Sequence, residues 1–321
     1  MVLVCPETAV DDLLDLPALI PVVEDGLVRQ ARGEAERPDR PHFPVGAGLD
    51  GPEPLGMGIA MPAYVHGDEQ FATKLVGVHE ANPDRGLPTV NAVVVLTDAR
   101  TGLPEALLAG NALTNARTAC IGALAVRAFA PDARRLAVLG AGAQARWQTR
   151  AIATVADLEE VRVYSPNTRE ACAADLREAG LPAEAVDSPR AAVEGADAVV
   201  TATTATEPVF PADALGPDAL VVAVGAYTAE MQELEPTVLK RATVVADVPE
   251  EVAETGDLLA TDLGAADLLS LGAVLAGDRD APAAPVVVES VGSAVLDAAA
   301  GAFVYERARK RGVGTDIALW E

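Results

Sequence analysis

The stretch Arg134–Gln148, RRLAVLGAGAQARWQ, constrains the fold more than any other part of this 321-residue chain. An apolar run, Leu136 to Leu139, stops at Gly140; Gly140-Ala141-Gly142-Ala143-Gln144-Ala145 then leads into a segment of helical character. Strand, tight turn and helix in that order make the dinucleotide-binding fingerprint G-x-G-x-x-G/A, with alanine in the third place. Gly140 permits the turn out of the strand, Gly142 lets the backbone approach a pyrophosphate, and Ala145 lets the helix pack close to the sheet. The helix then points free N–H groups and its positive dipole end at the phosphates. A glycine-rich turn in some other α/β protein is the alternative. The next expected strand, Val161 to Ser165, follows after one helix length, as a βαβ unit requires, and favours the dinucleotide.

From Arg134 onward, strands are expected at 136–139, 161–165, 185–187, 198–203, 220–225, 243–247 and 286–290, with helices between them. That alternation predicts a Rossmann-type α/β fold, a doubly wound parallel sheet with helices on both faces. The part before it reads differently. Residues 1–30 read as an opening strand and one amphipathic helix interrupted by Pro17 and Pro21. Residues 31–56 are rich in Pro, Gly and charge and read as loop or irregular strand. Strands follow at 57–66, 71–79 and 92–97, with a hairpin-type turn at Thr97–Gly102 and a further strand near 105–108. This is a β-rich α+β module. Residues 114–129 read as an alanine-rich helix leading into the nucleotide domain, and 294–310 as a helix that could return to the first. The expected domains are 1–118 plus 300–321, and 119–299.

Charge narrows the function classes. The formal net charge is -24, from 24 basic and 48 acidic residues. A polyanionic backbone would be repelled, so nucleic-acid binding is disfavoured. Lysine occurs only at Lys74, Lys240 and Lys310. Acid-rich, lysine-poor composition suggests a halophilic surface; an ordinary acidic cytosolic protein is the alternative. No apolar stretch is long enough to span a bilayer, and the N-terminus lacks the pattern of a signal peptide. Cys5, Cys120 and Cys172 are far apart with no C-x-x-C, which fits a reducing cytoplasm. His42, His66 and His79 show no metal-ligand spacing, so no structural zinc is expected.

Three basic residues could carry chemistry. Lys74 lies in FATKLVGV among apolar neighbours. It is either a solvated surface lysine or one turned into a cleft, where desolvation would make it a proton donor near neutral pH. Arg40 in RPDRPHFP and Arg117 in TNARTACIGALA offer bidentate guanidinium groups for a carboxylate or pyrophosphate, though surface ion pairs are the commoner fate.

GLPTV at 86–90, TNARTA at 114–119, LAVLGAGAQARWQ, VGAYTAEMQELE and ESVGSAVLD occur in that order over nearly the whole chain. In this the sequence resembles the ornithine cyclodeaminase/μ-crystallin family. The resemblance implies a substrate and dimerisation domain, a Rossmann domain, and a C-terminal helix returning to the first. It implies a small imino or amino acid as substrate, a nicotinamide cofactor and a homodimer. Carried over by position, Arg40 would clamp the substrate carboxylate, and Lys74 would stand beside the reacting nitrogen. Thr89 and Arg117 would line the junction of substrate and cofactor. Gln144 and Ala145, beside Ala143, fall on the pyrophosphate turn, and Thr203 near the adenosine side. Val224, Gly225 and Ala226 would pass under the nicotinamide, with Ser290 and Val291 closing the site.

Two departures from the family pattern shape the expectation. Ornithine cyclodeaminases carry an aspartate just after the V-G-x turn; here that position is Tyr227, and Met231 replaces a lysine. Ornithine cyclisation is therefore disfavoured. At the end of the second strand an NAD enzyme usually places an acid on the ribose hydroxyls. Here the run is Ser165-Pro166-Asn167-Thr168-Arg169. Ser165, Asn167 and Arg169 could take a 2′-phosphate, so NADP(H) is expected, with NAD(H) as the other option; Ser165 as a helix cap is the bland reading. The function expected is NAD(P)H-dependent reduction of a small imino acid such as Δ1-pyrroline-2-carboxylate. Alanine dehydrogenase comes next, then ornithine cyclodeaminase, or a cofactor-dependent binding protein of μ-crystallin type.

Overall fold

A computed structural model describes residues 1–319. They divide into two compact units: Met1–Asp15, Arg32–Arg117 and the chain from Ala294 onward form the first, Leu16–Ala31 and Thr118–Ser293 the second. In chain order the strands are β1 (Val2–Cys5), β2 (Ala35–Glu36), β3 (His42–Val45), β4 (Gly56–Val65), β5 (Gln70–Val78), β6 (Val90–Asp98) and β7 (Pro104–Ala109). Then come β8 (Arg135–Leu139), β9 (Glu160–Tyr164), β10 (Ala183–Ala185), β11 (Ala198–Thr201) and β12 (Leu220–Ala223). The last are β13 (Thr243–Ala246), β14 (Leu269–Ser270), β15 (Val286–Glu289) and β16 (Thr315–Ile317).

The first unit is built on a sheet of order β16-β1-β7-β6-β5-β4-β2, with β3 pairing β4. Strands β4 to β7 form an antiparallel meander. The β6–β7 turn forms because Asp98 Oδ1 accepts hydrogen bonds from the Arg100 and Thr101 N–H groups and the Thr101 hydroxyl. This is the Asx pattern that mimics a backbone turn. The helix Ala294–Arg311 packs on β4, β5 and β6. It can lie close because it carries Gly301, where an added Cβ would stand 3.1 Å from Leu96.

The second unit holds a wholly parallel sheet of order β10-β9-β8-β11-β12-β15-β13-β14. Every residue of its central strands β11, β12 and β15 is buried, the mark of strands covered on both faces. From β8 the chain goes outward through β9 and β10, then crosses to β11 on the other side of β8. The gap between the ends of β8 and β11 is therefore the topological switch point, where ligands of such sheets bind.

Residues 1–30 differ from the expectation of one helix. Two helices form, Glu7–Leu13 and Leu16–Ala31. Leu14 is extended and ends the first. Pro17 sits in the first turn of the second, where its missing N–H costs nothing, and only Pro21 is internal. This second helix packs on the Leu271–Leu275 helix inside the second unit. The short strands β14 and β16 carry too few residues to leave a periodic signal. No helix of the described residues is long and apolar enough to cross a membrane.

Candidate active site

In the first unit, three ionised side chains meet inside the protein. Lys74 lies mid-strand in β5, opposite Met61 on β4 and Val94 on β6. That register turns it to the covered face of the sheet, where it is 2 % exposed. The sequence left the exposed and inward readings open; the structure gives the inward one. Above it, the first turn of the Ala294–Arg311 helix presents Asp297, which is fully buried. Asp297 Oδ2 lies 2.7 Å from Lys74 Nζ, an ion pair between two buried groups. Its Oδ1 accepts a hydrogen bond of 2.9 Å from Arg117 Nε, on the helix Gly110–Phe129.

The electrostatics follow from burial and from two cations sharing one carboxylate. Burial lowers the Lys74 pKa to about 8, and the neighbouring Arg117 and Arg40 push the same way; Asp297 opposes them. Burial alone would raise Asp297, but Arg117 and Lys74 outweigh it and hold the carboxyl below its ordinary range. The cluster therefore keeps one positive charge in excess, away from water, and is suited to an anionic ligand. Arg40, half-buried between β2 and β3, adds its field at Lys74. Thr89 is half-buried just before β6, where its carbonyl accepts the His79 N–H at 2.8 Å. Asp297 was not singled out from the sequence. The signal was present in AVLDAAAGAFV, a lone carboxylate on a helix whose neighbours are apolar and small.

The second unit carries the dinucleotide turn. Gly140 has φ +111°, and a Cβ there would stand 2.4 Å from the Ala202 carbonyl beyond β11. Only glycine fits that conformation and that approach. Gly142 caps the Ala143–Ile152 helix with no side-chain bond, and the space beside it is open. No side chain of the cap residue covers the N-terminus of this ten-residue helix, and the open approach at Gly142 fits a pyrophosphate. Ala143 is exposed, Ala145 is buried beneath the helix, and Gln144 accepts from Gln148 Nε2 at 3.4 Å. Arg146, unnoticed in the sequence, donates to the Ala141 and Gly142 carbonyls and pairs with Asp175.

Further along the same edge, Val224 N–H donates to the Thr201 carbonyl, and Ala226 is buried. Thr203 and Gly225 both bond to the buried Glu233. Ser290 Oγ donates to Asp247 at 2.6 Å, and the Val291 and Gly292 N–H groups donate to the same carboxylate at 3.2 and 2.8 Å. Glu233 and Asp247 were also missed in the sequence, where each looks like one more acid in an acidic chain. Burial, together with the charges of Asp257, Glu233 and Asp247, raises Glu289 well above the usual carboxyl range.

At the end of β9, the helix beginning at Arg169 is capped by Thr168, not Ser165, and no side chain makes the cap bond. Arg169 donates to the Ser165 carbonyl at 3.3 Å and pairs with Asp187 at 3.0 Å. Asn167 is exposed beside them. The run 165–169 is free of acid, but Asp187 competes for its only guanidinium. Among the described residues, no group of three His, Cys, Asp or Glu could hold a metal.

A parallel sheet with a dinucleotide turn, and a unit carrying a buried lysine–carboxylate–arginine cluster, define a two-unit α/β protein of the dinucleotide-binding kind. The model of the ornithine cyclodeaminase/mu-crystallin family matches residues 1–312, and the chain belongs to that family. A Δ1-pyrroline-2-carboxylate reductase of Bacillus cereus is 35% identical over 273 residues, 81% of this chain and 84% of the relative. The structure of a Thermococcus litoralis Δ1-pyrroline-2-carboxylate reductase with NADH and L-proline matches with TM-score 0.90 at 28% identity, over 98% of this chain and 100% of that one. An archaeal alanine dehydrogenase dimer with bound NAD matches with TM-score 0.90 at 27% identity, over 99% of each chain.

Removing the shared carboxylate should leave two buried cations unpaired. Asp297→Asn is expected to lower the unfolding free energy by about 3–5 kcal/mol, read by urea denaturation. A loss below about 1 kcal/mol would mean that the cluster is not held by Asp297.

Proposed function

We propose that this chain is an NAD(P)H-dependent reductase of a small cyclic imino acid, with Δ1-pyrroline-2-carboxylate as the substrate to test first. The observation that carries the reading is Lys74, buried against Asp297 with Arg117 on the other oxygen. A lysine lowered to about 8 is still mostly protonated at neutral pH, yet gives up its proton far more readily than one in water. The excess positive charge of the cluster attracts the substrate carboxylate, with Arg40 as its clamp and Arg117 beside it. Val291 is assigned to the substrate pocket.

A reduced nicotinamide supplies the hydride. Lys74 supplies the proton. It hydrogen-bonds the imine nitrogen and keeps it protonated, which draws electrons from the C=N carbon and makes that carbon a better acceptor. The carbon gains the hydride, the nitrogen keeps the proton, and the product is the cyclic amino acid. Lys74, left neutral, recovers a proton from solvent. Asp297 holds both cations in place and stabilises Lys74 as a cation between turnovers.

The cofactor residues of this reading are Gly140, Gly142, Ala143, Gln144 and Ala145 at the pyrophosphate, and Ser165, Asn167 and Arg169 at the adenosine ribose. Thr89, Arg117, Thr203, Val224, Gly225, Ala226 and Ser290 complete the set. NADP(H) is preferred in this reading because no acid lies in 165–169 to repel a 2′-phosphate. Tyr227, 44 % exposed where a cyclodeaminase carries aspartate, supports reduction over ornithine cyclisation. The second reading, supported by the likeness to the archaeal enzyme, is alanine dehydrogenase. There the same lysine would protonate an imine formed from pyruvate and ammonia. A homodimer belongs to the proposal, supported by Phe43 and Leu75, 49 % and 47 % exposed on the first unit. Light scattering reads it, and a monodisperse monomer contradicts it.

Oxidation of NADPH and of NADH is measured with a cyclic imino acid, with pyruvate plus ammonia, and with neither. The cyclic imine is expected to be the better substrate and NADPH the better donor, with kcat/KM falling as pH rises through about 8. Preference for pyruvate plus ammonia favours the second reading; a strong preference for NADH shows that the missing acid has been misread. Lys74→Ala should lower the rate about 10²–10⁴-fold while cofactor binding persists. Near-normal turnover in that variant would remove Lys74 from the mechanism.

A further inference from the structure

Beyond the carboxyl ends of the central strands β11 and β12 lies a buried carboxylate with no role in the proton and hydride transfer. Glu233 has no exposure, and both its oxygens are filled. Oε1 accepts from the Thr203 backbone N–H at 2.7 Å and the Thr203 hydroxyl at 2.8 Å. Oε2 accepts from the Thr201 hydroxyl at 2.8 Å and the Gly225 N–H at 2.9 Å. Thr201 ends β11 and Ala223 ends β12, and these two residues are paired in register. One side chain thus ties together the loops that leave two neighbouring strands.

The surroundings are built around this contact. At Gly225 a Cβ would stand 2.4 Å from Glu233 Oε1 and 2.4 Å from the Thr203 carbonyl, so glycine is required for the carboxylate to enter. The backbone of Glu233 is fixed in turn. Its N–H and that of Leu234 donate to Asp257 Oδ1 at 2.9 and 2.7 Å, and its carbonyl accepts from the Val209 N–H at 2.8 Å. Burial raises the carboxyl to about 7 against hydrogen bonds that all favour the ionised form.

We propose that Glu233 is a positioning residue for the dinucleotide: by tying the Thr203 and Gly225 amides to one buried carboxylate, it fixes the separation of the two loops on which the cofactor rests. The proposal depends on the dinucleotide reading of Thr203 and Gly225 given above. Its chemical requirement is narrow. A backbone N–H points at each oxygen, and a backbone N–H cannot turn round to accept. Both positions must therefore be acceptors, which a carboxylate supplies and an amide does not. In Glu233→Gln one NH₂ group would face a backbone N–H, donor against donor, and one loop would be released. Asp257 differs, because a single oxygen takes both of its bonds, and asparagine keeps that oxygen.

The test is direct titration of the purified proteins with NADPH and NADH by fluorescence, without substrate, together with amide hydrogen exchange of the cofactor-free chains. Glu233→Gln is expected to weaken cofactor binding about ten- to a hundredfold and to speed exchange at Thr203 or Gly225. Asp257→Asn is expected to stay within about threefold of wild type. An unchanged Kd in Glu233→Gln overturns the proposal, as does equal weakening in both variants, which would reduce the effect to general loss of stability. A wild-type protein that binds neither cofactor sinks the dinucleotide reading itself, and this proposal with it. Should Glu233→Gln fail to fold, exchange in the wild type decides. Thr203 and Gly225 amides slowed by about a hundredfold or more relative to open-loop amides support the tie, and unprotected ones overturn it.

Discussion

The buried charge cluster of the first unit depends on one carboxylate shared by two cations. Asp297 is fully buried, and an isolated ion there would cost several kcal/mol. It stays ionised because Lys74 and Arg117 stand at its two oxygens. Those partners come from β5 and from the Gly110–Phe129 helix, so the pairing also joins three elements far apart in the sequence. Such a cluster is a poor source of stability, since hydrophobic replacements are often as stable. What it changes is Lys74: burial lowers the amine to about 8 while Asp297 opposes the loss of its charge.

The second unit repeats the device without a cation. Glu233 and Asp247 sit beyond the ends of parallel strands and accept bonds from backbone and hydroxyl donors of the loops there. Buried carboxylates are affordable in such places because several donors replace the lost water. The result is a hydrogen-bonded rim beyond the strand ends, the side on which ligands of such sheets bind. Glycine has matching roles along that rim: Gly140 for its φ, Gly225 to admit Glu233.

Much of this was legible in the sequence because it is local. The strand–turn–helix of 134–148 carries its own periodicity and its own glycines, and the parallel strands of the second unit fall within a few residues of their expected places. The meander of the first unit was equally readable from alternation and from the Asp98 turn. What stayed hidden is long-range. Lys74 read as either exposed or buried, because its environment is set by register with β4 and β6 and by a helix more than 200 residues later. Asp297, Glu233 and Asp247 could not be separated from the other acids of a chain with net charge -24, since nothing local distinguishes a buried carboxylate from a solvated one. The break at Leu14, and the pairing of Arg169 with Asp187, likewise depend on geometry that no spacing encodes.

The lysine inventory makes the central claim directly measurable. Because lysine occurs only at positions 74, 240 and 310, a chain with isotope-labelled lysine side chains gives few resonances to follow by NMR as pH is varied. A resonance that titrates near 8 and is absent from Lys74→Arg is the result expected for a lysine desolvated between Asp297 and Arg117. If no lysine titrates before the ordinary range near about 10.4, Lys74 is not the tuned acid of this site.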